Sequence, residues 1–323
     1  MAIRTRSSRG DAVNPRPQLD VLVAGDLFLD LVMSGFESWP RPGEEAFAKR
    51  FRKEVGGGAA ITACGLAKLG LNTGIVGSVG KSDGQWMLDQ LAARGVETSR
   101  IRQSSSEPTA FTVSVSTALD RTFFTYNGAN GELAEIMVDL GTVAARSQVR
   151  HVHLAHAMSL ETAEASFKAI AAGGRSLSLD VGWHPEWFSD ARAAPALAEV
   201  DIFFPNEREA AIITGETRPE RMLRAFEGAR LKRVALKLGA EGAALLWDGE
   251  IFFQKAGAIE PVDTTGAGDC FDAGFLYAWL RGMDPKSCLR AGAACGEMSA
   301  RTLGGIAGFP AKEELEAILC TAK

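Results

Sequence analysis

The sequence predicts an α/β fold: a mostly parallel central sheet flanked by helices, with a small separate group of strands lying over it. Three observations lead there. Short apolar runs that end in Gly or Asp, such as 19–24 before Gly25-Asp26, read as buried strands, because a strand covered on both faces has no polar side. Such runs alternate with helical patterns, as at 161–172 followed by 176–180, the rhythm of βα units in a parallel sheet. Two stretches break that rhythm. Residues 31–55 lack helical spacing and place charged residues between Phe47, Phe51 and Val55. Residues 109–126 alternate Phe111, Val113 and Val115 with Thr112, Ser114 and Ser116, turn at Leu119-Asp120-Arg121 and return through 122–126. The second is a β-hairpin pattern, and together the two (about 31–55 and 108–128) read as a lid of partly exposed strands.

Composition narrows the function classes. The chain has 323 residues, 46% apolar and 23% charged, enough for a large core. A formal charge of −5 speaks against a general nucleic-acid binder, which carries a basic face. Cys64, Cys270, Cys288, Cys295 and Cys320 are scattered, odd in number and without Cys-x-x-Cys spacing, which suits free thiols in a reducing cytoplasm. No apolar run approaches the length of a membrane span. Residues 1–18 hold Arg4, Arg6, Arg9 and Arg16 with no apolar run behind them, so we expect a disordered basic tail rather than a secretory signal, and one folded unit over 19–323.

In chain order, Asp26 and Asp30 follow the first strand, at the end of the sheet where open α/β folds bind ligands. Gly56-Gly57-Gly58 opens a helix of small residues reaching Gly70. Gly77-Ser78-Val79-Gly80-Lys81-Ser82 imitates a P-loop, but the required first glycine is Ile75; no dinucleotide fingerprint survives either. His151 and His153 share a strand face, which a metal could use, yet no Cys, Asp or Glu follows before Glu161; with His156 they read, ahead of a metal site, as a strand end near the substrate pocket. Asn206 and Glu209 fall on one face of a first helical turn, the spacing of a capping box as well as of a cation site. Residues 233–247 are strand, glycine turn and strand. Asp284-Pro285 is a cap and first-turn pair opening a helix to about Arg301.

The most informative stretch is 262–275. A polar loop passes through Gly266-Ala267-Gly268 into helical spacing with Phe271, Gly274, Phe275, Ala278 and Trp279 on one face. Free amides at a helix start and the positive end of its dipole attract an anion, and glycines keep no Cβ in its way. Asp269 stands in that first turn, where the dipole is expected to keep it ionised. An ionised carboxylate beside a phosphoryl group can accept the proton of an attacking hydroxyl.

The run Asp263-Thr264-Thr265-Gly266-Ala267-Gly268-Asp269-x-Phe271-x-Ala273-Gly274-Phe275 resembles the C-terminal signature of the ribokinase-like (PfkB-type) carbohydrate kinases, and 56–70 resembles their N-terminal signature. The resemblance runs from about residue 20 to the C-terminus. It implies a three-layer ribokinase-like fold with a small β-sheet lid and transfer of the γ-phosphate of ATP to a hydroxyl of a small sugar or sugar-derived substrate. Asp269 would be the catalytic base, with Gly266, Ala267 and Gly268 as the anion hole. Asp26, Asp30, Gly56 and Gly57 would hold the substrate. Lys237, Gly239, Gly242, Thr264, Gly266, Gly268 and Ala293 would hold ATP, with the start of the 285–301 helix flanking the adenine. Asn206 and Glu209 would organise Mg2+ largely through water, and carbonyls of 302–308 are candidates for K+. Two departures point to a specialised acceptor. Ile61 stands where many members have Asn, and of an Asp-Pro-Asn-x-Arg run only Asp180 remains. With Phe28 also apolar, a nucleoside or vitamin-precursor kinase is the alternative; a sugar sensor without catalysis is a third reading, which retention of Gly-Ala-Gly-Asp disfavours. The exposed strand edge of the lid implies a homodimer through the lids. No membrane or nucleic-acid partner is expected.

Overall fold

A computed structural model describes residues 19–36, 38–116 and 121–321. The expected tail at 1–18 lies outside the described residues, as does the hairpin turn up to Asp120.

The main sheet has nine strands: β1 (Leu19–Gly25), β4 (Thr73–Gly80), β5 (Ile101–Ser104), β8 (Val149–Ala155), β9 (Ser176–Asp180), β10 (Ile202–Phe203), β11 (Arg233–Lys237), β12 (Ala243–Trp247) and β13 (Glu250–Gln254). Their order is β13-β12-β11-β10-β9-β8-β1-β4-β5. From β11 to β5 every pairing is parallel, and β12 and β13 add antiparallel strands at one edge. Alternate residues serve opposite faces: Val21 and Val23 of β1 join one buried cluster, with the helices Gly58–Lys68, Ala267–Leu280 and Pro285–Ser299, while Leu22 and Ala24 join the other, with Leu160–Ala172. The sheet is the middle of three layers. Among the described residues, no helix is long and apolar enough to cross a membrane.

A second sheet contains β2 (Phe28–Ser34), β3 (Arg50–Gly56), β6 (Phe111–Ser116) and β7 (Arg121–Tyr126), in the order β3-β2-β6-β7. Register pairs Asp30 with Glu54 and with Thr112, and Ser114 with Phe123, so these side chains share one face. Leu31, Val113 and Phe124 lie on the other, where Phe51 is 61% and Phe124 53% exposed.

The Ala267–Leu280 helix differs from the expected single apolar stripe. Residues 270–278 are all buried, Asp272 included. The helix is enclosed between Gly58–Lys68 on one side and Pro285–Ser299 on the other, so nearly all of its surface is core. Glycines permit that closeness. A Cβ on Gly274 would stand 2.5 Å from the Ala291 carbonyl oxygen and 2.6 Å from Cys295 Sγ. Gly274→Ala is therefore expected to destabilise the fold by about 1–3 kcal/mol through overpacking. The check is urea unfolding, with a lower midpoint at unchanged slope; an unchanged midpoint would show that the two helices separate at no cost.

Candidate active site

The site is built where the C-terminal ends of the central strands meet the starts of two helices. β1 delivers Asp26 to a short bend, and β2 carries Asp30. The three glycines that end β3 and open the next helix bring the chain against these carboxylates. A Cβ on Gly56 would lie 2.2 Å from Asp30 Oδ2, one on Gly57 (φ 91) 2.3 Å from the Asp26 carbonyl, and one on Gly58 2.9 Å from Asp269 Oδ1. The Ala267–Leu280 helix begins from Gly266 at φ 74, the left-handed region that favours glycine, and no side chain caps it. Of the amides expected there, that of Ala267 donates to the Thr264 carbonyl (3.2 Å).

Two cavities adjoin. The larger, about 770 Å3, is lined by Lys237, Gly239, Gly242, Thr264, Gly268 and Ala293, among others. The smaller, about 300 Å3, lies under the lid and is lined by Asp26, Asp30, Gly57, Ile61, Thr112 and Ser114, among others. Gly266 and Asp269 line both. Gly56 itself backs Asp30 from outside the cavity wall. The helix opened by Asp284-Pro285 reaches the larger cavity through Ala293, Gly296 and Glu297, not through its start as expected; the long Ala267–Leu280 contact lays its C-terminal half along the cavity.

The expectation that the helix dipole keeps Asp269 ionised is corrected by its surroundings. Burial, then the nearby Asp180 charge, push its pKa up to about 7 against the pull of Lys237. A dipole worth a fraction of a charge does not offset desolvation plus a neighbouring carboxylate. Lys237 differs from expectation too. Its ammonium donates to Asp180 Oδ2 (2.7 Å) and Asp272 Oδ1 (3.3 Å), so it sits at the cavity floor already paired rather than extended toward a ligand. Burial works against that charge, but Asp180, Asp272 and Glu209 outweigh it and hold the ammonium protonated. Burial likewise acts to raise Asp180, and Lys237 reverses it, bringing the pKa down to about 2. Asp272 goes the other way, raised well above the usual range chiefly by burial, and its Oδ2 is buried with no partner.

Asn206 and Glu209 form the capping box. Asn206 Oδ1 accepts from the Glu209 amide (3.0 Å), and Glu209 accepts from the Asn206 amide (2.9 Å) and side-chain amide (2.6 Å). Both residues line the larger cavity, and burial, then Asp180, raise Glu209 to about 7. His151 and His153 belong to the core: His151 bonds Ser176 and Ser178 (2.9 and 2.8 Å), His153 bonds Ser178 (2.8 Å), and burial pushes His153 down to about 4. His156 alone of that cluster reaches the site, its Nδ1 lying 3.1 Å from Asp26 Oδ2. In 302–308, the Gly304 amide donates to Asp263 (3.1 Å) and the Gly305 carbonyl accepts from the Cys270 thiol (3.0 Å).

Sequence reasoning assigned no role to Asp180, Asp272 or Glu54. Asp272 carried a signal, a carboxylate on the apolar side of a helix three residues after Asp269. Glu54 carried none, because its place beside Asp30 depends on strand register.

The family profile of the pfkB family carbohydrate kinases matches residues 18–312. The chain is 28% identical over 283 residues to a 2-dehydro-3-deoxygluconokinase of Bacillus subtilis, covering 83% of this chain and 87% of that protein. It is 30% identical over 282 residues to a nucleoside kinase of Methanothermobacter thermautotrophicus, covering 84% and 86%. The structure of Arabidopsis thaliana ribokinase complexed with ribose and ATP superposes with a TM-score of 0.79 at 27% identity, covering 93% of this chain and 98% of that one. With a match across nine-tenths of its length and the three-layer fold that goes with it, the chain belongs to the pfkB family of carbohydrate kinases.

Proposed function

We propose that the protein transfers the γ-phosphate of ATP to a hydroxyl of a small polyhydroxylated acceptor, with the nucleotide in the larger cavity and the acceptor under the lid. The observation that carries this reading is that Asp269 and Gly266 line both cavities. A base and an anion-binding helix start thus share the boundary that the phosphoryl group must cross. The relatives named above supply the precedent for ATP and for sugar or nucleoside acceptors.

The larger cavity fits a nucleotide on its own features. The uncapped helix start presents amides to a phosphate, Gly266 and Gly268 bring no Cβ toward it, and Lys237 stands 3.4 Å from where a Gly268 Cβ would be. Gly239 and Gly242 line the same cavity. Mg2+ would be held through water by Asn206 and Glu209, since both Glu209 oxygens are engaged in the capping box. A hard cation there neutralises phosphate charge that the carboxylate-rich floor cannot. K+ is a further candidate at the 302–308 carbonyls, with that of Gly305 already engaged by Cys270.

Asp269 takes the proton of the acceptor hydroxyl as the hydroxyl oxygen bonds phosphorus and the bond to the leaving ADP oxygen breaks. The loose transition state asks little of the base, and a pKa of about 7 matches neutral operation. Asp30 and Asp26 orient the acceptor, and closure of the lid excludes water. Apolar Phe28 and Ile61 beside the acceptor keep a nucleoside among the candidates. The exposed outer face of the lid, with Phe51 and Phe124, is where we place a homodimer contact. Free thiols at all five cysteines agree with a reducing cytoplasm.

Asp269→Asn is expected to lower kcat at least about a hundredfold with KM for ATP within a few-fold of wild type; wild-type kcat in this variant sinks the assignment. A pH series supplies a second test. Because the base must be ionised, kcat should fall as pH drops below about 7, and a flat profile from pH 5 to 8 would remove Asp269 as base. Stability should move oppositely. A carboxyl whose folded pKa is raised stabilises the fold below its unfolded pKa, and that contribution is lost as pH rises through about 7. Asp269→Asn should therefore be more stable than wild type at pH 8 and not at pH 4, as thermal unfolding at the two pH values would show.

A further inference from the structure

The charge pattern of the smaller cavity names the class of acceptor. Asp26, Asp30, Glu54 and Asp269 all line it, and among the described residues no lysine or arginine does. Asp263 lines it as well, with its oxygens accepting the Thr265 and Gly304 amides at 3.0 and 3.1 Å. Asp26 has His156 as a partner. Asp30 and Glu54 face each other across the β2–β3 pairing, and Glu54 reaches over the cavity so that its carboxyl carbon would lie 3.8 Å from a Cβ on Gly304. Arg50 and Arg52 share this face of β3 but stand further out, exposed and outside the cavity lining. The remaining wall is hydroxyl and apolar: Thr112 and Ser114 from β6, with Val32 and Phe123.

Such a cavity welcomes hydrogen-bond donors and repels negative charge. A like charge about 5 Å away at an effective dielectric of roughly 20 is enough to weaken binding by about a hundredfold. The members of the family similar to this chain differ in this respect. The 2-dehydro-3-deoxygluconokinase and an ATP-dependent ribose-1-phosphate kinase act, by their names, on acceptors bearing a carboxylate or phosphate, whereas ribokinase and nucleoside kinase act on uncharged ones. Resting on the kinase reading above, we propose that the acceptor is an uncharged polyol, a sugar or nucleoside without carboxylate or phosphate, and that Glu54 is the residue that enforces this choice. Each acceptor hydroxyl finds a carboxylate oxygen on Asp30, Glu54 or Asp26, while an anionic substituent meets the same carboxylates with no lysine or arginine among the described lining residues. At about 300 Å3 the cavity is at the small end for ligand sites, which suits an acceptor of one or two rings.

The test has two arms. In the first, D-ribose, D-fructose and inosine are compared with ribose 1-phosphate, fructose 6-phosphate and 2-dehydro-3-deoxygluconate by ADP release with Mg-ATP. The uncharged set should show a best kcat/KM at least about a hundredfold above the best anionic one, and Glu54→Gln should narrow that ratio about tenfold. A preferred anionic acceptor, or a ratio untouched by Glu54→Gln, overturns the inference. The second arm measures binding of the same six compounds calorimetrically in the presence of Mg-ADP, without turnover. Uncharged acceptors binding with no ADP formed in the first arm would sink the kinase reading and leave the charge rule standing. Tighter binding of an anionic acceptor, or binding of none, would overturn the rule itself.

Discussion

One buried cation organises the centre of the molecule. Lys237, the last residue of β11, is held by Asp180 at the end of β9 and by Asp272 inside the Ala267–Leu280 helix. Asp269 and Glu209 complete the surroundings, so a single ammonium faces four carboxylates. A buried ion pair of this kind yields little net stability, since desolvation offsets its attraction. Its effect is placement. Two strands separated by β10 and a helix from the layer above are tied at one point, and the helix start that bears Gly266 and Asp269 is fixed beside that point. It also sets the carboxyls apart: the ammonium draws Asp180 down to about 2, while burial raises Asp272, which has one oxygen without a hydrogen-bond partner.

The glycines of the two signatures supply closeness more than flexibility. Side chains at Gly56 and Gly58 would collide with the carboxylates of Asp30 and Asp269, and one at Gly266 with Ile61 at 2.8 Å. The helix start at Gly58 is thereby brought against Asp269 in the first turn of the helix that starts at Ala267, from a different part of the chain. Ile61 belongs to this contact. Its side chain packs against the left-handed turn at Gly266, so this position presents an apolar surface to the lid cavity.

What the sequence revealed follows the range of the interactions. The parallel sheet was legible because buried strands and helices each leave a local pattern, and the lid because its alternation is equally local. The turn at Gly266 and the capping box at Asn206 and Glu209 are also local, and each lies where its spacing placed it. The protonation of Asp269 was not legible, because desolvation and the charge of Asp180, some ninety positions earlier in the chain, decide it. Nor was the pairing of Lys237, whose partners lie on β9 and on the Ala267–Leu280 helix. The His151 and His153 pair looked chemical because two imidazoles share a strand face; the serines of β9 that satisfy them come from the next strand, and only register shows it.

In the proposed reading the two cavities divide the electrostatics of a phosphoryl transfer between them. The larger cavity, where we place the nucleotide, is lined by the uncapped helix start at Gly266 and Gly268 and by Lys237, already paired with Asp180 and Asp272; the lid cavity is lined by Asp26, Asp30 and Glu54, which can accept hydrogen bonds. A phosphate straying toward the lid would then meet repulsion, and a hydroxyl would be drawn to where Asp269 lines both cavities. Water satisfies the same carboxylates as well as a sugar does, so charge alone does not protect ATP from hydrolysis. On the same reading that protection would rest on the lid, whose inner face sets Val32 and Phe123 among the polar groups and would leave water without a full set of partners once an acceptor fills the space. One sheet would then both select the acceptor and guard the donor, and its polar and apolar residues share the face that does so.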